Sequence, residues 1–318
     1  MNINVNTAAP AAFFLWQRFI HAEVYRKNSE LLQVDLYFLE TSREDRLHVE
    51  LYVKDYTIKQ AVLERTRPVS GAIKPLNLLF LQGRSIYLKE AKTLKEAILN
   101  WGDTKAYNLS SAEIPDLPSI PEREHFADLF IELISNVLQS EIFLLPERGF
   151  SSIEEYDRFF SDLYNDTCIL FRTPRAEMAV EEVYTQGQKR YASLFNRNKG
   201  VVVFRPEPGE ESGEEAIMLH VYFNDSFHEI GLSLRVLPFS KPPCLIKKAR
   251  GNFLRRPATL CMEAMAKLDD LTGVSLLPSE KKKIISLVNG PGGCSHLCDM
   301  VLDAAGALQE MQNSQFFL

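Results

Sequence analysis

Ile246-Lys-Lys-Ala249, followed by Arg256-Pro257, Leu271-Thr-Gly273 and Leu287-Val-Asn289, decides the fold, because the chain writes this order twice. The earlier version reads Ile58-Lys-Gln-Ala61, Arg67-Pro68, Leu81-Gln-Gly83 and Ile98-Leu-Asn100. Ala61 against Ala249 is a shift of 188, Pro68 against Pro257 of 189, Gly83 against Gly273 of 190 and Asn100 against Asn289 of 189. A near-constant shift through four separate matches reads as an internal repeat. Farther on, His125-Phe-Ala-Asp128 matches His296-Leu-Cys-Asp299 at a shift of 171. The first copy then carries about 18 extra residues, where the Pro-rich insert Ile114-Pro-Asp-Leu-Pro-Ser-Ile-Pro121 lies.

Upstream of each version the pattern has a period of two. Val34-Asp-Leu-Tyr-Phe38 and Val49-Glu-Leu-Tyr-Val53 read as strands, with Val201 to Phe204, Met218 to Phe223 and Ile230 to Val236 as their partners in the second copy. Each copy therefore runs strands first and helices last. That order predicts an α+β fold, a tandem duplicated domain in which helices pack on one face of an antiparallel sheet. The expected divisions are a degenerate first copy over 1–139, a connecting helical linker over 140–175 and a second copy over 176–318. The first copy contains no cysteine.

Length and composition agree with two domains. The chain has 318 residues, 46% apolar and 25% charged, enough for sizeable cores. No apolar run approaches the ~20 residues of a membrane span, and no Lys or Arg precedes the short apolar stretch Ala8 to Trp16. The reading is no membrane span and no signal peptide. Five cysteines, an odd number, argue against a disulfide framework and for a reducing cytoplasm. A net charge of -6 argues against nucleic acid as the main partner. The charge is uneven: residues 206 to 215 are acidic, whereas residues 241 to 290 hold ten Lys/Arg against four Asp/Glu. Lys247, Lys248, Arg255 and Arg256 are the candidate contacts there for a small anionic ligand or a protein partner.

The chemistry concentrates near the end. Gly290-Pro-Gly-Gly-Cys-Ser-His-Leu-Cys298 runs straight into an amphipathic helix, so Cys294 caps that helix with His296 close by. Free amides and the macrodipole at a helix N-terminus favour a thiolate. His228 precedes the strand Ile230 to Val236, and Cys261 opens a helix running to Leu268. Two thiolates, an imidazole and a fourth ligand from His296 or Asp299 suit tetrahedral zinc or iron in a small cluster. Cys298 falls in the apolar stripe Leu297, Val301, Ala304, Leu308 and Met311 and reads as core. Cys168 and Cys244 read as structural.

His228-Glu-Ile230, Arg256-Pro-x-x-x-Cys261, Leu271-Thr-Gly273 and Gly293-Cys-Ser-His-Leu297 resemble a bacterial family of unknown function, DUF2889. That resemblance carries no activity. A more distant likeness is to the IscU/NifU-type iron-sulfur scaffold domains, which also open a last helix on a Cys-Ser-x-Leu motif like Cys294-Ser-His-Leu297. By that likeness the first cluster cysteine falls on His228, the second on Cys261 and the third on Cys294. The scaffold's acidic ligand falls on Ile230, so one thiolate has become an imidazole and the acid is missing or shifted to the adjacent Glu229.

Three functions follow as expectations. The first is a metal- or iron-sulfur-binding accessory protein, scaffold or carrier, with His228, Cys261, Cys294 and His296 as ligands. The second is a non-catalytic, pseudo-symmetric binding module. The third is an enzyme with Cys294 as nucleophile or with a zinc-activated water. Gly290-Pro-Gly-Gly lacks the Lys-Ser/Thr ending of a P-loop, and no dinucleotide fingerprint is present.

Overall fold

The computed structural model describes residues 13–41, 43–65, 75–87, 90–100, 120–173, 193–206, 216–237 and 243–313. Arg67-Pro68, most of the Pro-rich insert and nearly all of the acidic segment lie outside the described residues. The strands are β1 (Phe13–Arg26), β2 (Leu31–Glu40), β3 (Arg43–Tyr52), β4 (Ile58–Arg65), β5 (Leu76–Asn77), β6 (Ser193–Arg205), β7 (Ile217–Asp225), β8 (Glu229–Leu237) and β9 (Leu245–Arg255). Among the described residues the helices are α1 (Ala91–Leu99), α2 (Ile120–Ser140), α3 (Ile153–Leu163), α4 (Lys281–Val288) and α5 (Ser295–Asn313). The nine strands are hydrogen-bonded in the order β5-β4-β3-β2-β1-β6-β7-β8-β9. The pairs β2–β3, β3–β4, β4–β5, β7–β8 and β8–β9 are antiparallel. No helix among the described residues is long and apolar enough to cross a membrane.

The chain forms two compact units. The C-terminal unit comprises Met1–Phe19, Phe159–Gln186 and Lys199–Leu318; the N-terminal unit comprises Ile20–Arg158 and Gly187–Asn198.

In the C-terminal unit, strict alternation builds one apolar face. Ile217, Leu219, Val221 and Phe223 of β7 and Ile230, Leu232, Leu234 and Val236 of β8 are buried. The intervening residues of β8 are half-buried, the pattern of a sheet covered on one side. The cover is α5, whose Leu297, Val301, Ala304, Leu308 and Met311 join the same apolar cluster. Each fully buried Leu, Ile or Val stabilises by roughly 1.5–3 kcal/mol, so this stripe orients the helix. The expected helix from Cys261 is instead a 3-10 segment, Thr259–Leu271. It lies close on β9: a Cβ on Gly251 would stand 2.8 Å from Leu268 Cδ1. Cys261, Ala264, Leu268 and Leu271 face inward from it.

A tight connection follows. The Ile246 amide donates to Val274 O (2.8 Å), the Gly273 amide to Ile246 O (2.7 Å) and the Leu276 amide to Cys244 O (2.9 Å). Gly273 has φ 81, which L side chains rarely adopt, and Cys244 has φ 49.

The N-terminal unit has the same local wiring. The Ile58 amide donates to Arg84 O (2.8 Å), the Gly83 amide to Ile58 O (2.9 Å) and the Ile86 amide to Tyr56 O (3.1 Å). Gly83 has φ 79 and Tyr56 φ 55. A bulge interrupts β3–β4 between Glu50 and Leu51, opposite Ile58. Another interrupts β8–β9 between Arg235 and Val236, opposite Ile246. Leu32, Val34, Leu36 and Phe38 of β2 and Leu47, Val49 and Leu51 of β3 are buried, and α2 packs on β2.

Candidate metal centre

Asn224-Asp-Ser-Phe-His228 makes the turn between β7 and β8, and it is built around one carboxylate. Asp225 is fully buried. Its Oδ1 accepts the amides of Phe227 (2.8 Å) and His228 (2.7 Å), the Asx-turn geometry that Asp favours in short turns. His228 Nδ1 stands 3.0 Å from the same oxygen. The Arg255 guanidinium, at the end of β9, closes the turn from outside. It donates to the carbonyls of Asp225 (2.5 Å), Ser226 (2.6 Å) and His228 (3.1 Å).

His296 arrives from the first turn of α5. Its ring centroid lies 4.1 Å from that of His228 and 4.8 Å from that of Phe223. One ligand atom each from Asp225, His228 and His296 falls within 4.8 Å of the other two. Two imidazoles and a carboxylate form a donor set for zinc or ferrous iron.

The loop that delivers His296 tolerates little change. The Cys294 amide donates to Val288 O (2.8 Å) and the Gly293 amide to Gly290 O (2.9 Å). A Cβ on Gly293 would run into the Val288 carbonyl, so glycine is required before Cys294. The loop is also tied to residues 167–169: the Ile169 amide donates to Gly293 O (2.8 Å) and the Gly290 amide to Thr167 O (3.2 Å).

The cysteines behave differently from the sequence expectation. Cys261 and Cys294 are buried. Burial pushes the Cys294 thiol well up. The amides of Leu297 and His296 pull it down, as a helix N-terminus should, while nearby Cys168 and Cys261 push it up further. Desolvation outweighs the helix end, so the metal-free protein holds a thiol there, not the expected thiolate. Cys261 is pushed up to about 11, chiefly by burial, and the charge of Arg256 acts against that rise. Cys298 is pushed up to about 12 by burial and by Asp299.

The four expected ligands therefore fall into two groups. His228 and His296 meet each other and Asp225. Cys261 and Cys294 interact with each other and with Cys168, which sequence reading had set aside as structural. Asp299 is exposed, and the carboxylate at the imidazoles is Asp225. A signal for it existed, since an Asp-Ser pair three residues before a histidine and between two strands marks an Asx turn. The expected anion contacts are also divided. Lys247 and Lys248 are exposed on β9, Arg255 is committed to the turn carbonyls, and Arg256 lies near Cys261.

The N-terminal unit buries a charge cluster of its own. Asp45 is fully buried and paired with Arg43, with Arg65 Nε at 2.9 Å and His125 Nε2 at 3.0 Å. Arg65 Nη1 also reaches Glu122 Oε1 (2.7 Å). Burial alone would raise the Asp45 carboxyl; His125, Arg43 and Arg65 together hold it down, at about 2. His125 packs edge-on against Phe38, centroids 4.4 Å apart.

No curated protein and no solved structure matches the chain, so the likeness to iron-sulfur scaffold domains rests on the quoted motifs alone. Residues 212–309, which carry Asp225, His228, Cys261, Cys294 and His296, match the model of one family, described as a protein of unknown function, DUF2889.

Proposed function

We propose that the C-terminal unit is a metal-binding module of an accessory or carrier protein, with His228 and His296 as nitrogen ligands and Asp225 as the oxygen ligand. The observation that carries this reading is the convergence of three donor atoms within 4.8 Å. The turn supports it mechanically. Arg255 and the two amides on Asp225 Oδ1 hold the carboxylate and His228 in place before any ion arrives, which lowers the ordering cost of binding. Zinc or iron(II) is the ion such a donor set takes. Metal analysis of untagged protein purified without oxygen tests the reading. Stoichiometric zinc or iron, lost in His228→Ala and His296→Ala, is the expected result. Metal-free protein from metal-replete cells overturns it.

A second reading rests on the thiols. Cys168 pushes the Cys261 thiol up, and Cys168 and Cys261 push up that of Cys294, so the three sulfurs are neighbours, and cysteine sulfurs are the ligands of iron-sulfur clusters. Metal binding would deprotonate them despite their burial. A visible sulfur-to-iron charge-transfer band, abolished by Cys261→Ala and kept in His228→Ala, would favour the thiols.

We also read the two units as copies of one ancestral domain, the N-terminal one degenerate. The paired glycine turns, the left-handed Tyr56 and Cys244, the matching amide partners of Ile58 and Ile246, and the two bulges all support this, at shifts between 185 and 190 residues.

A further inference from the structure

The face of β7, β8 and β9 that points away from the apolar cluster carries a depression of about 410 Å³ within the C-terminal unit. The register places three rows of side chains across it. Tyr222 pairs with Gly231, which pairs with Asn252; His220 pairs with Ser233, which pairs with Arg250; Met218 pairs with Arg235, which pairs with Lys248. Successive rows lie about 7 Å apart, two residues along a strand.

The floor is Gly231. A Cβ there would meet nothing within 4 Å, so the missing side chain leaves open space rather than admitting a neighbour. A glycine inside a strand weakens it and often marks a bulge, such as the one between Glu229 and Ile230, or a place where a ligand or another backbone approaches. The walls include two aromatic rings, Phe19 and Tyr222, each about two-fifths exposed at 38% and 40%. The polar groups are Arg250, Asn252 and the His220–Ser233 pair, joined at 2.9 Å. Among the described residues no lining residue is acidic, and the next row adds Arg235 and Lys248.

We propose that this depression binds a nucleoside monophosphate. The base lies on the Gly231 floor against the aromatic walls, where stacking is available to any planar ring. The Asn252 amide is placed for its polar edge. The phosphate falls one row along, at Arg250, whose guanidinium forms charge-assisted hydrogen bonds with phosphate oxygens. The row spacing of about 7 Å suits the span from a base to its 5′-phosphate. The volume is that of a small-ligand site, and one glycine-floored depression accommodates one base. The site shares no residue with the proposed metal centre and does not depend on it.

Calorimetric titration of the full-length protein with the 5′-monophosphates of adenosine, guanosine, cytidine and uridine tests the proposal. At least one should bind, and its phosphate-free nucleoside should bind roughly tenfold more weakly or worse, as loss of a charge-assisted contact implies. Arg250→Gln should abolish the advantage of the nucleotide over the nucleoside. Gly231→Val should abolish binding of both while keeping the thermal midpoint, because the added side chain enters open space and β-branched residues suit strands. No binding by any of the four at millimolar concentration overturns the proposal. So does nucleotide binding that survives Gly231→Val. A single-stranded oligonucleotide that binds more tightly than any mononucleotide, with a salt dependence of several phosphates, would also overturn it.

Discussion

The two units hold a helix-borne histidine in opposite ways. In the C-terminal unit a histidine from the last helix, His296, packs on Phe223 of β7 and meets His228 and Asp225 at the hairpin turn. In the N-terminal unit His125 of α2 packs on Phe38 of β2 and meets Asp45 at the start of β3. Phe223 pairs across the sheet with Ile230, and Phe38 pairs with Asp45. Asp45 thus occupies the register position of Ile230, and Arg43 that of His228. In the N-terminal unit, Arg43 and Arg65 supply fixed positive charge to the buried carboxylate. In the C-terminal unit the nearby guanidinium, Arg255, is used on three carbonyls, and the imidazoles and carboxylate remain together. A buried carboxylate needs a compensating positive charge. In the N-terminal unit Arg43 and Arg65 supply it to Asp45; in the C-terminal unit Asp225 stands against His228.

That contrast can be broken experimentally. The largest effect should come from the double substitution His228→Ala/His296→Ala, which should take bound metal from stoichiometric to none. His125→Ala should leave metal content unchanged. Metal that follows His125 instead would reverse the roles of the units.

Asp45→Ala should destabilise by about 3 kcal/mol, since it leaves the half-buried Arg43 without its carboxylate and Arg65 with Glu122 alone. Urea unfolding reads this directly, and a loss under 1 kcal/mol would show that Asp45 is not the keystone of its cluster. Gly293→Ala should cost about 2–3 kcal/mol through backbone strain. It should also weaken metal binding, because the loop that delivers His296 must shift; retention of both properties would show that the loop relaxes freely.

Acid should reveal the N-terminal cluster next. The Asp45 carboxyl is held at about 2 in the folded state, below its usual ~3.9. Its contribution is therefore complete above pH ~4 and is lost as the pH falls through about 2, on the order of 2 kcal/mol in all. Comparing the acid-unfolding curves of wild type and Asp45→Asn measures it. If the two curves run parallel, the carboxyl is not depressed. The smallest effect is chemical: metal-free native protein should alkylate slowly at Cys294 at neutral pH, because burial keeps the thiol protonated. Rapid single-site alkylation would restore the nucleophile reading.

Much of the fold was legible because alternation and turn chemistry are local. Val34 to Phe38, Met218 to Phe223 and Ile230 to Val236 read as strands, and they lie within β2, β7 and β8. The repeated Leu-x-Gly turns each hold a glycine at positive φ. β4 and β9 were harder to read, because Ile58-Lys-Gln-Ala61 and Ile246-Lys-Lys-Ala249 each include a bulge that breaks the period of two. Of the three side chains that converge, His228 and His296 were read from the sequence, while Asp225 was not, because its place comes from the turn it organises. The thiolate expectation failed for a related reason. A helix N-terminus is visible in sequence, but the depth at which Cys294 is buried is not.

The sequence by itself determined the order of strands and helices, the glycine turns and which histidines and cysteines could carry chemistry, because each depends on neighbours within a few residues. Only the tertiary structure decided that His296 meets His228 rather than Cys294, that Asp225 joins them and that Arg255 is consumed by carbonyls. It also left the space above Gly231 open. Those outcomes depend on which residues far apart in the chain are brought into contact, and on how much water is excluded where they meet.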